Sequence, residues 1–150
     1  MSLQIWLKSG WLLPHQTSPE EVRDLLRIVE RDLKDAATVA LSHDWQYGIA
    51  YNAALKLCTI LLYAEGYSSA KGHGSHMRPI NALPLILGDG RRRDADYLDG
   101  CRQKRNKVEY DYVGGASQAD AEELIRFGQE LRTAVLIWLK EKHPNLSPPD

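Results

Sequence analysis

Residues 45–65, "WQYGIAYNAALKLCTILLYAE", constrain the fold more than any other stretch. At helical spacing Ala50, Ala53, Ala54, Leu57, Ile60, Leu61 and Ala64 share one face, and Leu55, Cys58 and Leu62 add apolar surface elsewhere. A helix apolar over most of its circumference must be surrounded by other elements, so this segment, from about Trp45 to Glu65, is predicted to run through the middle of a bundle. Its small residues allow neighbours to approach closely, and Gly66 suits the left-handed position that ends a helix.

Four further helices are expected. "TSPEEV" opens the first: Ser18 is the N-cap, Pro19 the first helical residue and Glu21 the third, as in a capping box. Val22, Leu25, Leu26, Val29, Leu33, Ala36, Ala37 and Ala40 then form a single stripe, and the polar break "LSHD" offers Asp44 as the next N-cap. After a polar, Gly-rich loop, a short apolar segment ends near Gly88. "GSHM" at 74–77 has the look of a cloning scar, but it runs directly into helical patterning and reads as native. The fourth helix is expected from about Asp94 to Tyr112, with Gly114 and Gly115 as the break. Ser117 and Asp120 cap the fifth, whose stripe is Leu124, Phe127, Leu131, Val135, Trp138 and Leu139. No convincing strand is visible. The pattern is that of an all-α antiparallel bundle in one domain, 18–142, preceded by an apolar arm (1–17) and followed by a frayed Pro-rich tail (143–150). Trp6, Trp11, Leu12 and Leu13 of the arm are expected to cover an open end of the bundle or embrace a second protomer; Trp45 and Trp138 read as core or interface anchors.

The formal net charge of −1 implies no bulk attraction to nucleic acid or anionic membrane. No run reaches the ~18 apolar residues of a membrane span, and the first residues lack the features of a secretory leader, so a cytoplasmic location without membrane contact is expected. Cys58 and Cys101 lie far apart on apolar stripes and read as buried free thiols. His73 and His76 read as loop or helix-capping residues. Neither they nor the cysteines have the clustered spacing of a zinc site, and no metal or cofactor is indicated.

Positive charge is concentrated between Arg91 and Lys107, and "RQKRNKVEYDY" at 102–112 is the candidate functional stretch. On a helical wheel Leu98, Cys101, Val108 and Tyr112 fall within about 60° of Arg105, which places that cation beside the apolar stripe. Arg102, Asn106 and Tyr110 fan outward. A guanidinium there needs a counter-charge. Glu109, one turn on, supplies one in the weaker Arg-before-Glu order. Two readings follow: an Arg–Glu–Asn network that fixes packing or a dimer seam, and a phosphate or nucleotide contact made by Arg102, Arg105 and Asn106 with Tyr110 nearby.

"RNKVEYDY" on the penultimate helix, together with "AYNAALKLCTILLYAEGY" and "GHGSHMRPINAL", resembles HEPN domains (higher eukaryotes and prokaryotes nucleotide-binding) over residues 18–142. The resemblance implies a helical homodimer. Catalytic members carry an Arg and a His separated by four to six residues, paired across a dimer cleft to cut RNA without metal. Here Arg105 matches the Arg and Asn106 its polar follower, but Tyr110 stands at the His position and Tyr112 at the motif's final Tyr. A Tyr with a pKa of about 10 is a poor base at neutral pH where His, at about 6.5, is suited. Pairing with Arg105 would likewise weaken Glu109 as a base. The resemblance therefore implies a non-catalytic module for a nucleotide, for RNA phosphate or for a minimal nucleotidyltransferase partner of the toxin–antitoxin kind, with Tyr112 as a candidate acceptor of nucleotidyl transfer. A divergent ribonuclease using Arg105 with Glu109 or Tyr110, and a plain dimeric interaction module without a ligand, are the alternatives.

Overall fold

The computed structural model describes residues 2–72, 74–111 and 113–149. His73 and Tyr112, singled out above, lie outside the described residues. The described chain is a helical bundle of six helices with one short two-stranded ribbon: α1 (Leu3–Lys8), β1 (Leu12–Pro14), α2 (Pro19–Ala36), α3 (His43–Ala64), β2 (Tyr67–Ser69), α4 (Met77–Leu87), α5 (Arg92–Tyr110) and α6 (Gln118–Lys142). A single 3-10 turn, Asp89–Arg91, leads into α5.

Helix α3 is the axis. It packs against α2, α4, α5 and α6, and Tyr51, Ala53, Ala54, Leu57, Cys58, Ile60, Leu61 and Leu62 are all fully buried along it. Glu65 caps it and Gly66 follows at φ +93°, the left-handed conformation that glycine adopts without a Cβ penalty. Its N-cap is Ser42, whose Oγ accepts the Trp45 N–H at 3.1 Å. Asp44, expected in that role, lies inside the first turn and is released for other contacts.

The remaining caps follow the sequence with two departures. Ser18 Oγ accepts the Glu21 N–H at 3.1 Å, but the Glu21 carboxylate turns to His15 Nε2 at 2.8 Å, so only half of the capping box forms. Helix α2 stops at Ala36 instead of continuing along the stripe to Ala40; Ala37 and Ala40 are exposed. The N–H groups of Ala37 and Thr38 bond back to Lys34 and Asp35 carbonyls, a tightened last turn that closes the helix. At α6 the reciprocal box is complete, with Ser117 and Asp120 each satisfying the other's backbone N–H.

The expectation of no strand is corrected. β1 and β2 pair antiparallel, Leu12 opposite Ser69 and Pro14 opposite Tyr67. Three-residue strands are too short for alternation to show in a sequence, and Pro14 is tolerated because a two-stranded ribbon is all edge. The arm is thus built into the fold: Leu3, Trp6 and Leu12 form a second apolar cluster with Leu62 and Ala82, closing the end where α3 meets α4. The tail also differs from its expected frayed state. Leu146 packs against the main core, and the His143 carbonyl accepts the Leu146 N–H at 2.9 Å. Cys58 and Cys101 are buried free thiols. Trp138 is a core residue, whereas Trp45 is 60% exposed and is not one. Among the described residues no helix is long and apolar enough to cross a membrane.

Gly128 shows how closely α6 approaches α2. A Cβ there would sit 2.8 Å from Leu33 Cδ2. At Gly100 in α5 a Cβ meets nothing within 4 Å. Gly128→Val is therefore expected to overpack the α2–α6 seam and destabilise by about 1–3 kcal/mol, and Gly100→Ala to stabilise by about 0.5–1 kcal/mol. Urea midpoints of the two variants against wild type check both signs.

Candidate functional site

The site is built where the C-terminal half of α5 crosses the N-terminal half of α3. Leu98, Cys101 and Val108 anchor α5 to the core, and this fixes the phase of Arg105 one turn before Val108. The Arg105 side chain is only 17% exposed, and its Nε lies 2.7 Å from Glu109 Oε2. The Nε–H does not point along that line, so Nε remains buried without a hydrogen bond. The pair is coulombic. On its inner side the guanidinium carbon sits 5.6 Å from the centre of the Tyr51 ring, a cation–π contact. Asn106 Oδ1 is 3.4 Å from Arg105 Nη1, at the long limit for a hydrogen bond.

Tyr51 was not visible as a site residue in the sequence. It is fully buried and its hydroxyl has no hydrogen-bond partner. Burial raises its pKa above the ordinary tyrosine value, against the opposing charges of Arg102 and Arg105.

Arg105, Glu109 and Val108 form one wall of a cleft of about 270 Å³. Trp45, Ile49 and Asn52 of α3 form the other. That volume falls just below the ~300–1,000 Å³ usual for ligand pockets. Its rim is apolar and open: Trp45 is 60% exposed, and Val113 more so. Tyr110 does not enter the cleft. Arg102 points elsewhere, paired with Asp99 at 3.0 Å. Of the sequence-derived candidates, the structure therefore brings together Arg105, Asn106 and Glu109, and sets Arg102 and Tyr110 to either side.

Two acidic residues hold the surroundings in place. Asp44 accepts the backbone N–H groups of Gly114 and Ala116 at 2.7 and 3.0 Å, tying the α5–α6 connection to the start of α3. Asp120 accepts the Lys104 ammonium at 2.7 Å in addition to its capping role. Four cations of the basic run are thus already paired within the chain: Arg91, Arg102, Lys104 and Arg105. Behind them Cys101 meets the hydroxyls of Tyr47 and Tyr97; burial pushes the thiol pKa up and the two hydrogen bonds moderate the shift. Burial of Cys58 pushes its thiol up to about 12, so both thiols are protonated at neutral pH. Among the described residues no group of three or more His, Cys, Asp or Glu side chains is arranged to hold a metal ion. Comparison with protein-family models, with curated proteins and with solved structures finds no match.

Asp44→Ala, which leaves two backbone donors without their acceptor, is expected to destabilise by about 1–3 kcal/mol in chemical denaturation. The Lys104 hydrogen bond, then the Ser117 backbone N–H, lower the Asp120 pKa to about 2. Because the folded value lies below the unfolded value of about 3.9, this contribution is present above pH ~4 and is lost as pH falls towards 2. Asp120→Asn should remove that part of the acid limb from a stability–pH profile.

Proposed function

We propose that this protein is a HEPN-like binding module that contacts the phosphate of a nucleotide or RNA through Arg105 and Asn106, and that it does no chemistry on that ligand. One observation carries this reading. A guanidinium four-fifths removed from solvent lines an open cleft with its Nε unbonded, and only one carboxylate of the described residues pairs with it. Nε itself is shielded and lies against Glu109, so an incoming phosphate would be met by the terminal amino groups of the guanidinium fork, to which phosphate is matched.

The chemistry available at the cleft favours binding over cleavage. A general base must be within reach and titrate near the working pH. Glu109 is held in an ion pair, Tyr110 is 73% exposed and outside the cleft, and α5 carries no histidine. A minimal nucleotidyltransferase remains the protein partner that the resemblance suggests, with Tyr112 as the candidate acceptor.

A second copy of the chain is favoured by a separate feature. The cleft is shallow, and exposed Trp45 and Val113 line it. A twofold seam across this face would bury that apolar rim and deepen the cleft without new elements.

Purified protein is expected to bind AMP or a short single-stranded RNA in calorimetry or fluorescence anisotropy, with affinity falling as salt rises. Arg105→Ala should weaken binding by about tenfold or more, the loss of a charged hydrogen-bonding group. In chelator, wild type should leave the RNA intact. Absence of binding, or metal-free cutting abolished by Arg105→Ala, overturns the reading. Sedimentation of wild type and Trp45→Ala tests the seam: wild type is expected to be a dimer that the substitution weakens.

A further inference from the structure

A second polar groove, of about 290 Å³, lies between α3, β2 and the turn that opens α4. Lys56, Thr59, Ser68, Ser69, Ser75 and His76 line it. Its chemistry differs from that of the Arg105 cleft: two nitrogen groups and four Ser or Thr hydroxyls share the lining with Leu25, Leu55, Leu62, Tyr63 and Pro79, with no carboxylate among them. Thr59 spends its proton on the Leu55 carbonyl at 3.0 Å and presents lone pairs. Ser69 Oγ is shielded from solvent and has no hydrogen-bond partner. His76 occupies the N-cap position of α4, yet its side chain makes no capping bond. Lys56 forms no ion pair with any described carboxylate within 4.0 Å.

The groove lies in the field of the α5 cations. Partial burial, and then the charges of Arg105, Arg102 and Lys56, hold the His76 imidazole below its ordinary pKa. The charged groups acting on it from the packed elements are Lys56 of α3 and Arg102 and Arg105 of α5. The acidic neighbours of those arginines, Asp99 and Glu109, are engaged in their own pairs. Lys56, with Arg102 and Arg105 behind it, gives the groove that His76 and Ser69 line a positive field suited to an anion.

We propose that this groove is a phosphate subsite, in which Lys56 and His76 hold a phosphate monoester. Combined with Arg105 this gives the ligand class more definition: an RNA end whose terminal phosphate monoester fills this groove while a phosphodiester meets Arg105, AMP with its single phosphate filling one of the two at a time. That extension rests on the Arg105 reading of the previous subsection; the subsite itself does not. A phosphate monoester is close to a dianion at neutral pH, and its arrival would reverse the field at the imidazole. His76 is therefore neutral in the free protein and takes up a proton when the subsite fills. No bond is made or broken.

The test is an NMR titration of the His76 ring against pH, in the full chain, with and without inorganic phosphate, AMP and adenosine. In the free protein His76 is expected to titrate below about 6.5; phosphate and AMP should move it upwards, and adenosine should leave it unmoved. Lys56→Ala and His76→Ala, both at side chains that make no ion pair or capping bond in the fold, should weaken AMP binding by about tenfold. A His76 titration that inorganic phosphate does not move overturns the subsite. If AMP binds and depends on Arg105 while His76 stays unmoved, the Arg105 reading survives and this one fails. If phosphate moves His76 but AMP binding is indifferent to Arg105→Ala, the subsite stands and the Arg105 reading fails.

Discussion

Burial of α3 over most of its circumference is the condition that the rest of the structure satisfies. A 22-residue helix that leaves only a narrow stripe, Asn52, Lys56, Thr59 and Tyr63, towards solvent cannot lie on a surface, so α2, α4, α5 and α6 must each contribute an apolar face to it. The faces they have left over become the outside of the protein. For α5 this has a particular consequence. Leu98, Cys101 and Val108 are spent on the α3 contact, and the helical period then leaves Arg105 at the margin of the seam, against Tyr51. The candidate site is a by-product of how α5 docks on α3.

The electrostatics of that margin are local and mostly internal. A run that looks strongly basic in the sequence is largely neutralised by neighbours: Asp94, Asp99, Glu109 and Asp120 each take one of its cations. Exposed pairs of this kind are worth little individually. What sets Arg105 apart is its low exposure and its imperfect partner, because an ion pair without hydrogen-bond alignment leaves desolvation only partly compensated. The same cations reach across to His76, which joins the α5 face and the hydroxyl-lined groove through one field.

Much of the fold was legible because it rests on periodicity and caps. The stripes of α2, α3 and α6, the Ser18 and Ser117 caps and the Gly66 stop are all local patterns that survive into the structure. Illegible features share one trait: they depend on residues distant in the chain. The β1–β2 ribbon joins segments more than fifty residues apart, Asp44 serves a loop seventy residues on, and Leu146 returns to the core from beyond the last helix. Of the two roles open to Trp45, core or interface anchor, its 60% exposure removes the first, since aromatic character alone does not say whether a face will be covered within the chain.

Taken alone, the amino-acid order determined that the chain is helical, that α3 lies at the centre, and that a cation stands beside an apolar stripe on α5. These follow from spacing, which any short segment carries within itself. Tertiary structure decided which side chains surround that cation, placing Tyr51 beneath it and Trp45 and Asn52 across from it, and bringing Lys56, Ser69 and His76 into one groove. Neighbours across a helix crossing are set by interaxial packing and loop geometry, and a linear pattern holds neither.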